Sequence, residues 1–275
     1  MMCVALRRAV PPLRSVGGPD MQRTVGFLGV GHLAEALIAG LLRSGFSPEH
    51  MLLSPRGQAA HLGALHNIRL TRTNAELVGS SDIILLCVRP KDVMSAVRDL
   101  PWQLHHVLVS ACAGVSIAEL AAGASPARIC RIMPLTAAAL GASPTTLFPD
   151  FPEVRDLVAR CGSAIALNSE SDFEIATVSA AVYGWAQDLI ARSSRWAEGR
   201  GLSEEAARQL SALTFVAAGR LIAERTESME DLLRSVATPG GITECGLTVL
   251  DEHGVPMAWE KACAAVLRKL TGSGT

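Results

Sequence analysis

A chain of 275 residues, 49% of them hydrophobic, is long enough for one large or two ordinary domains with a real core. Its formal net charge of −1 supplies no basic surface for nucleic acid or an anionic membrane, and no apolar run is long enough to span a bilayer. The seven cysteines are scattered and form no Cys-x-x-Cys pair, which suits a reduced, cytoplasmic setting better than a disulfide framework, and no metal motif appears. Residues 1–20, with Arg7, Arg8 and Arg14, read as a disordered extension upstream of a fold that begins at Met21; a transit peptide is the alternative.

The first element is a strand over 25–28, which enters the turn Gly29-Val30-Gly31-His32-Leu33-Ala34. A helical pattern follows at once through Leu33, Ala36, Leu37 and Leu41. Strand, Gly-x-Gly-x-x-Ala turn and helix in that order form the context of a dinucleotide fingerprint. Gly29 takes the tight turn, Gly31 lets backbone approach a pyrophosphate, and Ala34 lets helix and strand pack closely. The N–H groups at the helix start, with its positive dipole end, then face phosphates. His32, in the turn itself, reads either as a hydrogen-bond donor to them or as an exposed loop histidine. A second strand over 51–54 leads into Ser54-Pro55-Arg56-Gly57. No acid stands there to take a ribose 2′-hydroxyl, whereas Ser54 and Arg56 can hold a 2′-phosphate. NADPH is therefore the expected cofactor, with NADH as the alternative.

A short helix over 58–66, a strand over 68–70 and a helix over 73–78 capped by Thr73 come next. The unbroken apolar run 83–88 reads as a strand buried on both faces. It is stopped by Arg89-Pro90-Lys91, before a helix over 91–100. Val88, Arg89 and Pro90 lie at the strand's carboxyl end, where ligand is expected. A strand over 106–110 runs into Ala111-Cys112-Ala113-Gly114-Val115, followed by a helix over 116–122 and a strand over 128–133. A further strand near 145–148, a helix over 153–161 and a short strand over 164–167 complete this half. The alternation predicts an α/β Rossmann-like, doubly wound, mostly parallel sheet over 21–167. From 168 to 275 no strand pattern remains. Helices are predicted over 172–199, 203–225 and 228–235, with Ser228 and Asp231 spaced as a capping box. After the breaker Thr238-Pro239-Gly240-Gly241-Ile242-Thr243, helices resume near Glu244 and over 257–270. An Ala-rich, all-α half of this kind often completes its core with a second subunit, so it is predicted to be a dimerisation domain.

Leu86-Cys87-Val88-Arg89-Pro90, Ser110-Ala111-Cys112-Ala113-Gly114-Val115 and Thr238-Pro239-Gly240-Gly241-Ile242-Thr243 recur in order with the glycine turn. That set resembles the pyrroline-5-carboxylate reductases, over about 23–270. The resemblance implies an NAD(P)-binding domain with contacts at Gly29, Gly31, His32, Leu33, Ala34, Ser54, Arg56, Val88, Arg89, Pro90, Ala113 and Gly114. It further implies a homodimer or higher homo-oligomer whose partner subunit completes the active site. A substrate carboxylate sits on the loop of Gly240, Gly241, Ile242 and Thr243, and the Thr243 hydroxyl serves the imine nitrogen as the catalytic group. The reaction so implied is reduction of 1-pyrroline-5-carboxylate to L-proline. Reduction of another cyclic imine and a non-catalytic NADPH-binding protein are the alternatives. A β-hydroxyacid dehydrogenase needs a lysine donor on its first long second-domain helix, and no lysine lies between Lys91 and Lys261. Departures from the family pattern fall at Met133-Pro134-Leu135-Thr136-Ala137, at Ala180-Ala181-Val182-Tyr183-Gly184-Trp185 and at Glu244. Tyr183 and Trp185 read either as pocket-lining or as core aromatics.

Overall fold

The computed structural model describes residues 23–272; the predicted extension over 1–20 lies outside them. Eight strands form one sheet in the order β3-β2-β1-β4-β5-β6-β7-β8. They are β1 (Val25–Leu28), β2 (Met51–Leu53), β3 (Arg69–Leu70), β4 (Ile83–Leu86), β5 (Val107–Ser110), β6 (Arg128–Met133), β7 (Ser143–Phe148) and β8 (Gly162–Ala166). All neighbours are parallel except β6 and β7, which pair antiparallel with Ile132 opposite Leu147. The sheet is thus mostly parallel and doubly wound.

Side chains alternate between two cores, as the two-residue period of a strand requires. Val25, Phe27, Ile83, Leu85, Val107 and Val109 pack on one face with α1 (His32–Arg43), α2 (Ala59–His66) and α6 (Pro152–Ala159). Leu28, Ile84, Leu86 and Leu108 pack on the other with α3 (Asn74–Gly79), α4 (Val93–Val97) and α5 (Ile117–Ala124). All four residues of β1, β4 and β5 are buried, which is why their sequences show no polar alternation.

Local chemistry sets the boundaries. The Thr73 hydroxyl accepts from the Glu76 N–H and starts α3. Ser116 and Glu119 form a capping box that starts α5, and the Ser116 hydroxyl and N–H hold the Glu119 carboxyl below the usual carboxylate range. The helix expected over 91–100 is shorter. A 3-10 turn at Pro90–Asp92 precedes α4, which stops at Val97. Arg98 is extended and Asp99 has φ of 59° ahead of Leu100-Pro101, and a residue before proline disfavours helix. The Trp102 indole N–H then donates to the Val97 carbonyl, 2.8 Å away. Ser228 caps α9 without the full capping box expected: its hydroxyl accepts from the Asp231 N–H and itself donates to Asp231 Oδ2, and among the described bonds none runs from the Ser228 N–H to that carboxylate.

After β8 the chain is helical: α7 (Glu170–Glu198), α8 (Glu204–Glu224), α9 (Met229–Val236), α10 (Ile242–Glu252) and α11 (Val255–Thr271). At 29 residues α7 is about 44 Å long at the usual 1.5 Å rise per residue. Ser169 caps it by accepting from the Asp172 N–H. Helices α9, α10 and α11 bury no residue and α8 buries only Ala207, while Leu210, Leu213, Val216, Leu233 and Met257 stand exposed. A helical array with its apolar stripes uncovered has a face but no closed core of its own.

Candidate functional site

In open α/β sheets, ligands bind beyond the carboxyl ends of the strands where the strand order reverses. Here that point lies between β1 and β4. At the end of β1, Gly29 has φ of +93°, and a Cβ built on it would lie 2.5 Å from the Val88 side chain. Glycine therefore permits both the conformation and the close approach of the β1 turn to the end of β4. Val88 is half-buried behind that turn.

Gly31 is the N-cap of α1, whose start has no side-chain cap. A Cβ built on Gly31 meets nothing within 4 Å. The arrangement has the open space and the unclaimed helix-start N–H groups that a pyrophosphate needs, so the residues fit a dinucleotide. His32 is exposed, Leu33 packs partly on the core, and Ala34 is fully buried. Ala34 thus serves helix–strand packing, and only its backbone N–H is available to a ligand.

The loop after β2 is stitched to this turn. Val30 and Gly57 form a parallel bridge, and the Gln58 N–H donates to the Val30 carbonyl at 2.8 Å. Arg56 stands exposed next to that bridge and so next to the α1 start. Ser54 differs from expectation. It is 2% exposed, and its hydroxyl oxygen accepts from the Gly29 N–H at 2.9 Å. The side chain braces the glycine turn and does not face outward as a phosphate ligand would.

At the end of β5 the Cys112 thiol donates to the Val88 carbonyl at 3.2 Å, and burial pushes its pKa up. This bond joins the carboxyl ends of β4 and β5. Arg89 and Pro90 are exposed just beyond. Ala113 is half-buried, and Gly114, with φ of +67°, has its Cβ position 3.2 Å from the Leu270 carbonyl oxygen. Gly114 therefore lies against the end of α11 of its own chain, a packing role that its place in the motif did not disclose.

The strongest polar cluster was not anticipated. Arg131 on β6 is fully buried, with Nη1 2.8 Å from Glu170 and 2.6 Å from Glu174, both on α7. Its guanidinium also lies 4.5 Å above the Phe173 ring. Glu170 in turn accepts from the Ile117 N–H at 2.8 Å. One arginine thus ties the sheet, the start of α5 and the start of α7 together. A lone arginine inside Ile129-Cys130-Arg131-Ile132-Met133 is the signal that could have revealed it.

Further along α7, the Tyr183 hydroxyl lies 3.2 Å from the Thr136 hydroxyl, in the 3-10 turn Thr136–Leu140 that follows β6. Two residues on, Trp185 packs edge-to-face on Trp259 of α11, with centroids 5.3 Å apart. Tyr183 therefore faces the strand ends and Trp185 joins two helices.

The Pro-Gly-Gly stretch is tighter than expected. Helix α10 starts at Ile242, with Gly241 as N-cap, so Thr243 lies in its first turn. The Gly241 N–H donates to the Thr238 carbonyl at 2.9 Å, and the Gly240 N–H donates to Glu244 Oε2 at 2.6 Å. The two glycine N–H groups expected to be free are thus both engaged, one of them by the chain's own carboxylate. Ile242 is 94% exposed and Thr243 half-buried.

Comparison with known proteins covers both halves. The model of pyrroline-5-carboxylate reductase dimerisation matches residues 170–272, and that of coenzyme F420-dependent NADP oxidoreductases matches residues 24–114. Pyrroline-5-carboxylate reductase 2 of Bacillus subtilis (strain 168) is 28% identical over 244 residues, which are 84% of this chain and 87% of that protein. The Corynebacterium melassecola pyrroline-5-carboxylate reductase is 25% identical over 258 residues, 88% of this chain and 95% of its own. Among solved structures, the 1-pyrroline-5-carboxylate reductase of Streptococcus pyogenes superposes with a TM-score of 0.81 at 23% identity, covering 91% of this chain and 98% of that one. The Plasmodium falciparum pyrroline carboxylate reductase with NADP bound gives 0.79 at 24% identity, covering 92% and 98%. With the dimerisation model on its helical half and relatives aligned along most of its length, this chain is similar to the pyrroline-5-carboxylate reductases from end to end of its described fold.

Proposed function

We propose that this protein reduces a cyclic imino acid with NADPH, converting 1-pyrroline-5-carboxylate to L-proline. The observation that carries the reading is the uncapped start of α1, with open space over Gly31, in a chain with this likeness. When bound, the reduced nicotinamide supplies the hydride. The backbone at Gly31, His32, Leu33 and Ala34 holds its pyrophosphate beyond the tight turn at Gly29, and Val88, Arg89, Pro90 and Ala113 border the rest of it. Because the cofactor carries the hydride chemistry, the protein's work is position, electrostatics and the supply of one proton to the imine nitrogen.

Arg56 reads the 2′-phosphate in this proposal, braced by the turn that Ser54 holds. Arg56→Ala is expected to weaken NADPH about tenfold or more, the size of one lost charge-assisted contact, and to leave NADH nearly unchanged. Equal losses in a binding titration with each cofactor would refute that role.

Two chains form the working unit here, divided as residues 21–167 for the cofactor and 168–275 for dimerisation and substrate. A second copy covers the exposed stripes of α8 and α10 and the Ile242 side chain. Every hydrogen bond described for the Pro-Gly-Gly loop is local, and α10 packs on α11, so the loop of Gly240, Gly241, Ile242 and Thr243 serves a site completed by the partner. Thr243→Ala is expected to lower kcat about a hundredfold, the cost of one positioned hydrogen-bonding group at a reacting centre, with NADPH affinity unchanged. Unchanged turnover would remove Thr243 from the site. No described helix is long and apolar enough to cross a membrane; a cytoplasmic location completes the proposal.

Glu244 favours one variant, a different cyclic imine. Its carboxylate already holds the Gly240 N–H, so a substrate carboxylate must displace it or bind elsewhere. An NADPH-oxidation assay across pyrroline-5-carboxylate, pyrroline-2-carboxylate and piperideine carboxylates separates the two. Preference for the first supports the main reading, preference for another the variant, and no turnover with any of them refutes both.

A further inference from the structure

We infer that Tyr183 is the proton donor of this site: its phenol, held by Thr136 at the carboxyl end of β6, protonates the imine nitrogen as hydride reaches the neighbouring carbon. This deepens the function proposed above and rests on it.

The placement comes from the sheet. Strands β5 and β6 are parallel, so both end on the edge where β1 and β4 present the glycine turn. With Arg56 beyond β2 at the adenosine end, a dinucleotide laid across the reversal sends its reacting ring toward β5 and β6. Thr136 opens the 3-10 turn after β6, and Tyr183 reaches it from the middle of α7, half-buried, with the two hydroxyl oxygens 3.2 Å apart. The phenol therefore stands on the reacting side of the crevice.

The chemistry selects it over its neighbours. Ser110 is buried, and its oxygen accepts from the Cys112 N–H. Arg131 is fully buried, held by Glu170 and Glu174 and turned to the Phe173 ring, out of reach of a substrate. Threonine hydroxyls, Thr136 and Thr243 included, are far weaker acids than a phenol and can orient a nitrogen without yielding a proton to it. A phenol, with an ordinary pKa of about 10, can yield one to an amine nitrogen that becomes more basic as it is reduced. When Thr136 donates to the Tyr183 oxygen, the phenolic proton is free to point at substrate, and the phenolate left behind keeps a hydrogen-bond donor.

The step balances. Hydride from a reduced nicotinamide bonds to the imine carbon, and the C=N π pair moves to nitrogen. A new N–H bond forms as the Tyr183 O–H bond breaks. The nicotinamide leaves oxidised, and solvent returns a proton to the phenolate.

The test compares a cyclic imine that is neutral at the assay's alkaline pH, 1-pyrroline-5-carboxylate, with its N-methyl iminium counterpart, which is already cationic and needs no proton. Tyr183→Phe keeps the ring and removes the donor. Its kcat/KM for the neutral imine is expected to fall about a hundredfold, a usual general-acid contribution, while the iminium changes by less than about twofold. Thr136→Val is expected to move the same ratio in the same direction by a smaller factor. Equal losses on both substrates would make Tyr183 a mere tether between α7 and the sheet and overturn the inference. Failure of the wild-type protein to reduce either compound would sink the proposed function first, and this inference with it. A readout free of turnover comes from composition, because Tyr183 is the chain's single tyrosine. Titrating L-proline into the protein with oxidised cofactor is expected to shift the near-ultraviolet phenol band, a change absent from Tyr183→Phe; an unmoved band in the wild type contradicts contact between phenol and ligand.

Discussion

Arg131→Ala is expected to lower folding stability by about 3–5 kcal/mol, the usual cost of removing one partner from a buried charge set. The guanidinium is fully buried, and Glu174 beside it keeps only 16% of its side-chain surface. Without the arginine, the Glu174 carboxylate loses its ion partner in a poor dielectric. Glu170 is 35% exposed, so water screens its share, and the loss belongs mainly to Glu174 and to the ring contact with Phe173. Arg131→Lys is expected to recover only part: both carboxylates sit on the single nitrogen Nη1, which a shorter ammonium can partly replace, but an ammonium offers no flat face to the Phe173 ring. Replacing Arg131, Glu170 and Glu174 together by apolar residues and glutamine is expected to restore most of the stability, since a buried ion set is seldom better than a packed apolar one. Denaturant melts of the three variants check this. A loss below about 1 kcal/mol for Arg131→Ala would show that the cluster is not the buttress between sheet and α7 that its geometry implies.

Gly31→Val is expected to abolish useful cofactor affinity while leaving the fold intact. The backbone at Gly31 has φ of −109° and ψ of −166°, extended values that valine adopts readily. Nothing in the chain lies within 4 Å of the new Cβ, so the cost to folding is that of a poorer N-cap, about 1 kcal/mol. The added methyl groups fill the space in which a pyrophosphate meets the helix start. Loss of two charge-assisted bonds of about 1.5–3 kcal/mol each corresponds to a hundredfold or larger rise in Kd. Gly57→Val is the counter-experiment. There φ is +77° and the Cβ position lies 2.2 Å from the Val30 carbonyl oxygen, so the damage falls on the fold itself. Fluorescence titration with NADPH, beside a thermal melt, separates the two. If Gly31→Val bound NADPH as the wild type does, the crevice over α1 would not be the cofactor site.

Features with a local cause can be read from the residues alone. Apolar runs such as Ile83 to Leu86 could only be strands covered on both faces, and the Gly29 to Ala34 spacing announced a strand–turn–helix with room over Gly31. The helix starts at Thr73 and Ser203 were readable because a hydroxyl and the N–H it accepts are three residues apart; the Ser169 cap, ahead of the predicted start at 172, was not. Tertiary structure alone decided what depends on partners distant in the chain. Ser54 reads as a ligand residue until the fold brings the Gly29 N–H to its oxygen from 25 positions away. Gly114 reads as a cofactor contact until the end of α11 arrives against it. Arg131 shows only as an oddity in a strand, and its meaning waits on two carboxylates more than 35 residues downstream. Tyr183 and Trp185, two residues apart on one helix, are alike in sequence, yet one faces a hydroxyl at the sheet edge and the other a second indole. The physical reason is common to all of these: backbone preference and periodicity act over a few residues, whereas the partner that satisfies a buried charge or hydroxyl is chosen by the packing of whole elements.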